Sequence, residues 1–304
     1  MFGSYEVIET EVFARLPDRY RKPGVGSEFA MGQMPGTKMD SFLEGPSFDR
    51  AGNLYCVDIP WGRVFRIDPA GHFDLVCEYD GWPNGLRIHK DGRIFIADHK
   101  HGIMLVDAST GGIETMVTKY NLEGFKGCND LTFASNGDLY FTDQGQTGHQ
   151  DASGRVYRLR PSGELDLLVG TIPGPNGIVL SLDERRVFVA AARENSVWRL
   201  PLIGDGVSKV STFIQLSGGL SGPDGLALDE RGGLVVAHAG LGAVWLFDEI
   251  GEPRYRVHSA NGLFTTNIAF GGPDRCDLYI TESHTGTILR ARVPVPGRVL
   301  FSHM

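Results

Sequence analysis

Six polar residues, each opening a short apolar run, recur along the chain: Glu44 (EGPSFD), Asn84 (NGLRIH), Asn129 (NDLTFA), Asn176 (NGIVLS), Asp224 (DGLALD) and Asn267 (NIAFGG). Their side chains are carboxylates and amides, and all of them present oxygen lone pairs. Brought to one point, two carboxylates and several neutral carbonyl oxygens suit a hard divalent cation such as Ca2+, Mg2+ or Mn2+, with water completing the shell; Zn2+ is also compatible. A cation so held is a Lewis acid that polarises an oxygen bound to it. A second series follows at a constant step: Asp58, Asp98, Asp143, Ala190 and His238 lie fourteen residues after the first five openers, and Glu282 fifteen after the sixth.

Whether these residues meet depends on the elements that carry them. The openers are 40, 45, 47, 48 and 43 residues apart. Each unit holds the opening run and a second run (LYCVD, IFIAD, LYFTD, VFVA, LVVAH, LYITE). A third follows (RVFRID, GIMLVD, RVYRLR, SVWRLP, AVWLFD, TILRAR) and, in most units, a fourth such as FDLVCEY or IETMVTKY. Four short strands per unit of this length are the signature of a propeller blade. The expectation is an all-β, six-bladed β-propeller with four-stranded blades, a single domain over residues 1–304, with a metal site at its centre. A β-sandwich gives no reason for a fourteen-residue step repeated five times. The run EVIETEVFARLP, within residues 5–17, is expected to close the ring as the outer strand of blade six.

In a propeller the innermost strands line the axis and successive strands run antiparallel, so the openers and the second-run ends share one rim. Asn or Asp before Gly also serves turns. Six copies aimed at one axis, with Glu44 and Asp224 costly to bury unless neutralised, favour a cation instead. Composition leaves open which four of the six openers would bind it. Loops on the same rim bring Asp98, His99, Lys100 and His101 (DHKHG) and Gln144, Gln146 and His149 (QGQTGHQDASG), and His238 stands where other units carry a carboxylate. His101, His149 and His238, with the openers Asn84 and Asn267, are the candidate substrate contacts. The Gly/Pro-rich stretch 23–42, with Phe29, Met31, Met34 and Met39, is a candidate apolar lid over the mouth, or a plug between blades.

The pieces FLEGPSFDRAGNLYCVDIPWGRVFRI, CNDLTFASNGDLYFTD, GPNGIVLSLDERRVFVA and GPDGLALDERGGLVVAH give the sequence, from about Ser41 to Arg292, a specific likeness. It resembles the gluconolactonase, regucalcin (senescence marker protein) and diisopropyl-fluorophosphatase family of six-bladed propellers. The resemblance implies one catalytic divalent metal held by Glu44, Asn129, Asn176 and Asp224, and hydrolysis of a lactone, with organophosphate esters as substrates of some members; the implied chemistry is polarisation of the acyl carbonyl by the ion while a neighbouring carboxylate, for which Asp224 is the candidate, activates water or attacks directly. Two positions depart from the family pattern. Gly127 stands where sugar-specific members carry an arginine two residues before the blade-three Asn, and blade six offers Asn267 where fluorophosphatases carry a histidine nearby.

Composition bounds the alternatives. The 304 residues are 41% apolar and 22% charged, and 29 basic against 37 acidic side chains leave a net charge of −8, a poor match for nucleic acid or an anionic membrane surface. Cys56, Cys77, Cys128 and Cys276 show no CxxC spacing and read as reduced thiols. The N-terminal residues lack a signal-peptide core and the chain has no apolar run of about 18 residues, so a cytoplasmic location is expected. The small-molecule partner expected is a lactone. The competing reading is a non-catalytic calcium- or metabolite-binding propeller module, which would hold a cation without an open coordination position.

Overall fold

The computed structural model describes residues 4–33 and 36–304. Six antiparallel sheets stand around one axis as a six-bladed β-propeller. Their innermost strands are Leu43–Phe48, Pro83–Ile88, Cys128–Phe133, Pro175–Leu180, Gly222–Leu228 and Thr265–Gly271. The second strands of blades one to three, Leu54–Asp58, Ile94–Asp98 and Leu139–Asp143, are buried along their whole length because a blade packs against a neighbour on both faces. Outer strands face water, as in Ile113–Val117, and lose that continuous apolar character. Six apolar clusters fill the six seams between blades. Between blades two and three, for example, Phe141 and Tyr157 stack with ring centroids 5.3 Å apart, beside Phe95, Ala97 and Ile103.

Ring closure differs from the single N-terminal strand expected. Glu11–Arg15 pairs antiparallel with Thr287–Arg292 as the outer strand of blade six, whereas Glu6–Glu9 runs parallel to Pro253–His258 as a fifth strand on blade five. Thr10 makes the crossing. Its amide and its hydroxyl both donate to the His258 carbonyl, at 3.2 and 3.0 Å, and its hydroxyl accepts from the Ala260 amide. One sequence run is thereby divided between two blades, and the N-terminus ties both to the ring.

On the lower face the C-terminal residues run across the bottom of the axis. Arg298 donates to the carbonyl of Leu180 and pairs with Glu184, Phe301 stacks on Phe133, and the Ser302 hydroxyl donates to the Phe48 carbonyl. Among the described residues no helix is long and apolar enough to cross a membrane.

Candidate metal centre and active site

Each innermost strand carries a β-bulge at its opener. In blade four the ladder runs from the Pro175–Ala191 pair to Ile178–Val189, so one extra residue is accommodated on the inner strand, and the other blades show shifts at the same place. Such a bulge bends the strand and re-aims a side chain out of the alternating pattern. Glu44, Asn84, Asn129, Asn176 and Asp224 all line one cavity of about 230 Å³ at the upper mouth of the axis. The openers are therefore strand residues. The glycine after them serves close approach of the next blade: a Cβ on Gly45 would lie 2.5 Å from the Asn84 carbonyl oxygen, and one on Gly85 would lie 2.6 Å from the Asp130 side chain.

Blade six corrects the predicted ring. Leu86, Leu131, Ile178, Leu226 and Ile268 occupy matching ladder positions, opposite Ile96, Phe141, Val189, Val236 and Ile280. Counting back two residues gives Asn84, Asn129, Asn176, Asp224 and, in blade six, Thr266 rather than Asn267. The Thr266 hydroxyl is tied to Leu43, Thr281 and Ser283. Asn267 occupies the position that is Gly45, Gly85, Gly177 or Gly225 elsewhere and Asp130 in blade three. It lies beneath the ring and is not among the residues lining the cavity. Its Nδ2 donates to Glu44 Oε2 at 2.8 Å, and its Oδ1 accepts from the Ile268 amide. Blades three and six are opposite, and Asp130 and Asn267 occupy space that Gly85 and Gly225 of the preceding blades leave open.

The charge balance of this ring favours a cation. Glu44 is 2% exposed, and its Oε2 also accepts from the Gly45 amide at 2.8 Å. Burial nevertheless pushes its carboxyl up to about 7. Burial, then the charges of Glu44 and Asp130, holds the Asp224 carboxyl well above the usual range, with the Arg193 guanidinium and a hydrogen bond to Asn176 opposing. Asp130 is raised by burial too, with the Arg87 guanidinium at 3.8 Å opposing, and its Oδ2 is buried without a hydrogen-bond partner. Asn129 donates through Nδ2 to Gln144 Oε1 at 3.0 Å, which turns its carbonyl oxygen away from Gln144. Two carboxylates that resist ionising alone, beside amide oxygens, fit a hard divalent ion. Among the described residues no three His, Cys, Asp or Glu side chains gather as a metal cluster; the candidate set is half amide.

Above the ring stands a second tier at the ends of the second strands: Ile59, His99, Gln144 and Ala192 follow theirs, Ala239 is the last residue of its own, and all five line the cavity. The carboxylates one position earlier face the other way and hold loops. Asp58 accepts from the Phe42 amide, Asp98 from the Lys100 and His101 amides and the Tyr79 hydroxyl, Asp143 from the Gly127 amide, and Glu282 from the Phe264, His284 and Thr285 amides.

His238, likewise, is no cavity residue. It accepts at Nδ1 from Trp245 Nε1 at 3.3 Å and donates from Nε2 to the Gly218 carbonyl at 3.1 Å, and burial lowers its pKa to about 4. His101 is bonded to the Asp80 carbonyl, and His149 is exposed on its loop; neither lines the cavity. The histidine that does is His99, whose pKa burial lowers. Its ring fills the space above Gly127, where a Cβ would lie 2.5 Å from the imidazole.

The short helix Glu28–Gln33 covers part of the mouth. Phe29 is buried against Phe42 and Trp82, and Gln33 Nε2 approaches His99 Nε2 at 3.2 Å; both residues line the cavity. Met31 is exposed, Met39 packs on the seam of blades one and two, and Met34 lies outside the described residues. Phe42, Leu220, Ser221 and Phe264 complete the walls with Arg193. Apart from Arg193, seen now at the mouth, alternation around each strand end was the signal for the second tier: the side chain one residue past a loop-holding carboxylate faces the axis.

Residues 42–284 match the family model described as SMP-30/Gluconolactonase/LRE-like region. The chain belongs to this family. It is similar to a gluconolactonase of Zymomonas mobilis, 28% identical over 286 residues that cover 84% of this chain and 79% of that protein. It is also similar to lactonase drp35 of Staphylococcus epidermidis, 32% identical over 69% of this chain and 67% of the other. Among solved structures, a calcium-binding protein, regucalcin, of Agrobacterium tumefaciens superimposes with a TM-score of 0.78 at 22% identity, covering 99% of this chain and all of that one. A gluconolactonase of Xanthomonas campestris gives 0.73 at 22% identity, over 93% and 98% of the two chains. At this identity the structural likeness speaks for the fold.

Proposed function

We propose that the protein is a metal-dependent hydrolase that opens a lactone. The observation that carries this reading is the convergence of Glu44, Asn84, Asn129, Asn176 and Asp224 on one cavity, where burial raises the pKa of both carboxyls. The lactonases among its relatives support the substrate class. Glu44, Asn129, Asn176 and Asp224 would hold one divalent ion, which when bound supplies Lewis-acid polarisation of the acyl carbonyl and stabilises the oxyanion.

The chain's own groups do the rest. Asp224 takes a proton from the attacking water as the water oxygen bonds the acyl carbon. The ring C–O bond then breaks, the departing alkoxide recovers the proton, and the product is the open hydroxy acid. The Arg193 charge opposes the rise that burial and the Glu44 and Asp130 charges impose on Asp224, and so favours its ionised form beside a bound cation. Asn84 and neutral His99 orient the lactone from blade two, and Phe29, Phe42 and Phe264 limit water at the mouth.

Ring opening measured on chelator-treated protein, then after restoring divalent metal, tests this reading. Activity lost and regained is expected; full turnover after verified metal removal contradicts it. Asp224→Asn should lower kcat by about a hundredfold or more at unchanged β structure by circular dichroism. A cation-binding module without catalysis would bind metal with the same residues and open no lactone.

A further inference from the structure

Resting on the reading of the site as a lactone-opening centre, we propose that its substrate carries an apolar substituent, an alkyl chain or aryl ring, seated over blades four to six, and is not a hydroxyl-rich sugar lactone. The second tier is divided. Blades two and three contribute His99 and Gln144; His99 Nε2 meets Gln33 and Gln144 Oε1 accepts from Asn129, while His99 Nδ1 is buried without a hydrogen-bond partner. Blades four and five contribute Ala192 and Ala239, which leave room and offer no side-chain donor or acceptor. Leu220 and Phe264 extend this arc within the cavity.

The same arc continues outward as an apolar ramp. Leu220 is 77% exposed and Leu263 50% exposed, and both are joined to the Gly240–Gly242 turn: the Leu220 amide donates to the Gly240 carbonyl, and the Gly240 amide to the Leu263 carbonyl. Leu220 belongs to the cavity wall and to this surface at once, so a substituent leaving the reacting ring would cover it. Hydroxyl groups placed along this arc would lose water to Ala192, Ala239, Leu220 and Phe264, and the polar groups there, Ser221 and Arg193, are too few to replace it. On the opposite side the His99 ring over Gly127 closes the space in which a longer polar side chain could grip a sugar.

The test is a kcat/KM series on the metal-loaded protein with γ-lactones bearing no, methyl, propyl and hexyl substituents, together with glucono-δ-lactone. Wild type should gain about fourfold per buried methylene, equivalent to ~0.8 kcal/mol, until the chain leaves the ramp. Leu220→Ser should flatten that slope, and Ala239→Phe, which fills the subsite, should lower the hexyl-to-unsubstituted ratio at least tenfold. Leu122→Ser, at an exposed residue of the hairpin linking blades two and three, should leave the slope as it is. A flat wild-type series with measurable turnover, or a preference for the gluconolactone, overturns the inference and leaves the lactonase reading standing. Absence of turnover on every lactone overturns both.

Discussion

Replacing Glu44 by Gln should make the metal-free protein more stable while destroying its metal site. In the fold the Glu44 carboxyl is raised from 4.5 to about 7, chiefly by burial. Between those values the folded state holds a proton that the unfolded state has lost, so stability falls as pH rises from 4.5 and the full penalty is present above about 7. A difference of about 2.5 pH units corresponds to ~3 kcal/mol at about 1.4 kcal/mol per unit. Gln carries no charge to desolvate, and its carbonyl can still accept from Gly45 and Asn267. Its amide must find an acceptor, which reduces the net gain to about 1–3 kcal/mol. For a chain of this size that is a rise in Tm of roughly 2–5 °C. The assay is thermal unfolding of both proteins in chelator at pH 8 and pH 5, repeated with excess divalent metal. At pH 5 the gap should shrink below about 1 kcal/mol. Metal at a thousand times its Kd stabilises the wild type by about 4.1 kcal/mol and should reverse the order. A variant no more stable than wild type at pH 8, or a gap independent of pH, would refute the reasoning.

Three further outcomes follow from the geometry. Asn267→Ala removes the amide that holds Glu44 Oε2 and should weaken metal binding about 10- to 100-fold by calorimetric titration, with little change in fold. Gly225→Ala would drive a Cβ into the Asn267 side chain and should lower stability by about 1–3 kcal/mol, with metal affinity falling alongside in the same preparation. His238→Ala, which breaks a bonded pair with Trp245 behind the cavity, should lower Tm and spare KM; His99→Ala, in the wall, should do the opposite.

The blades were legible because burial on both faces writes each second strand as an unbroken apolar run, and a closed ring of similar units makes that run recur at a constant step. The openers were legible because the bulge falls at the same place in every inner strand. Asn267 stands one residue past the register of the other openers, and the longer GGPDRCD turn of blade six hid this by lengthening the step to Glu282. Asp130 went unread since NDL resembles the NGL of other blades, and only the register shows that its side chain replaces a glycine at the axis. His238 and the downstream carboxylates looked like site residues because they are polar and sit at a fixed position. That position holds loops, and the neighbouring residue faces the cavity.

The most direct measurement is anomalous diffraction from crystals soaked in Mn2+. The account expects one strong peak within about 2.0–2.6 Å of oxygens from Glu44, Asn129, Asn176 and Asp224, with solvent at a remaining coordination position. A metal bound elsewhere, or those four side chains ordered around no ion in excess Mn2+ and in excess Ca2+ alike, would contradict it.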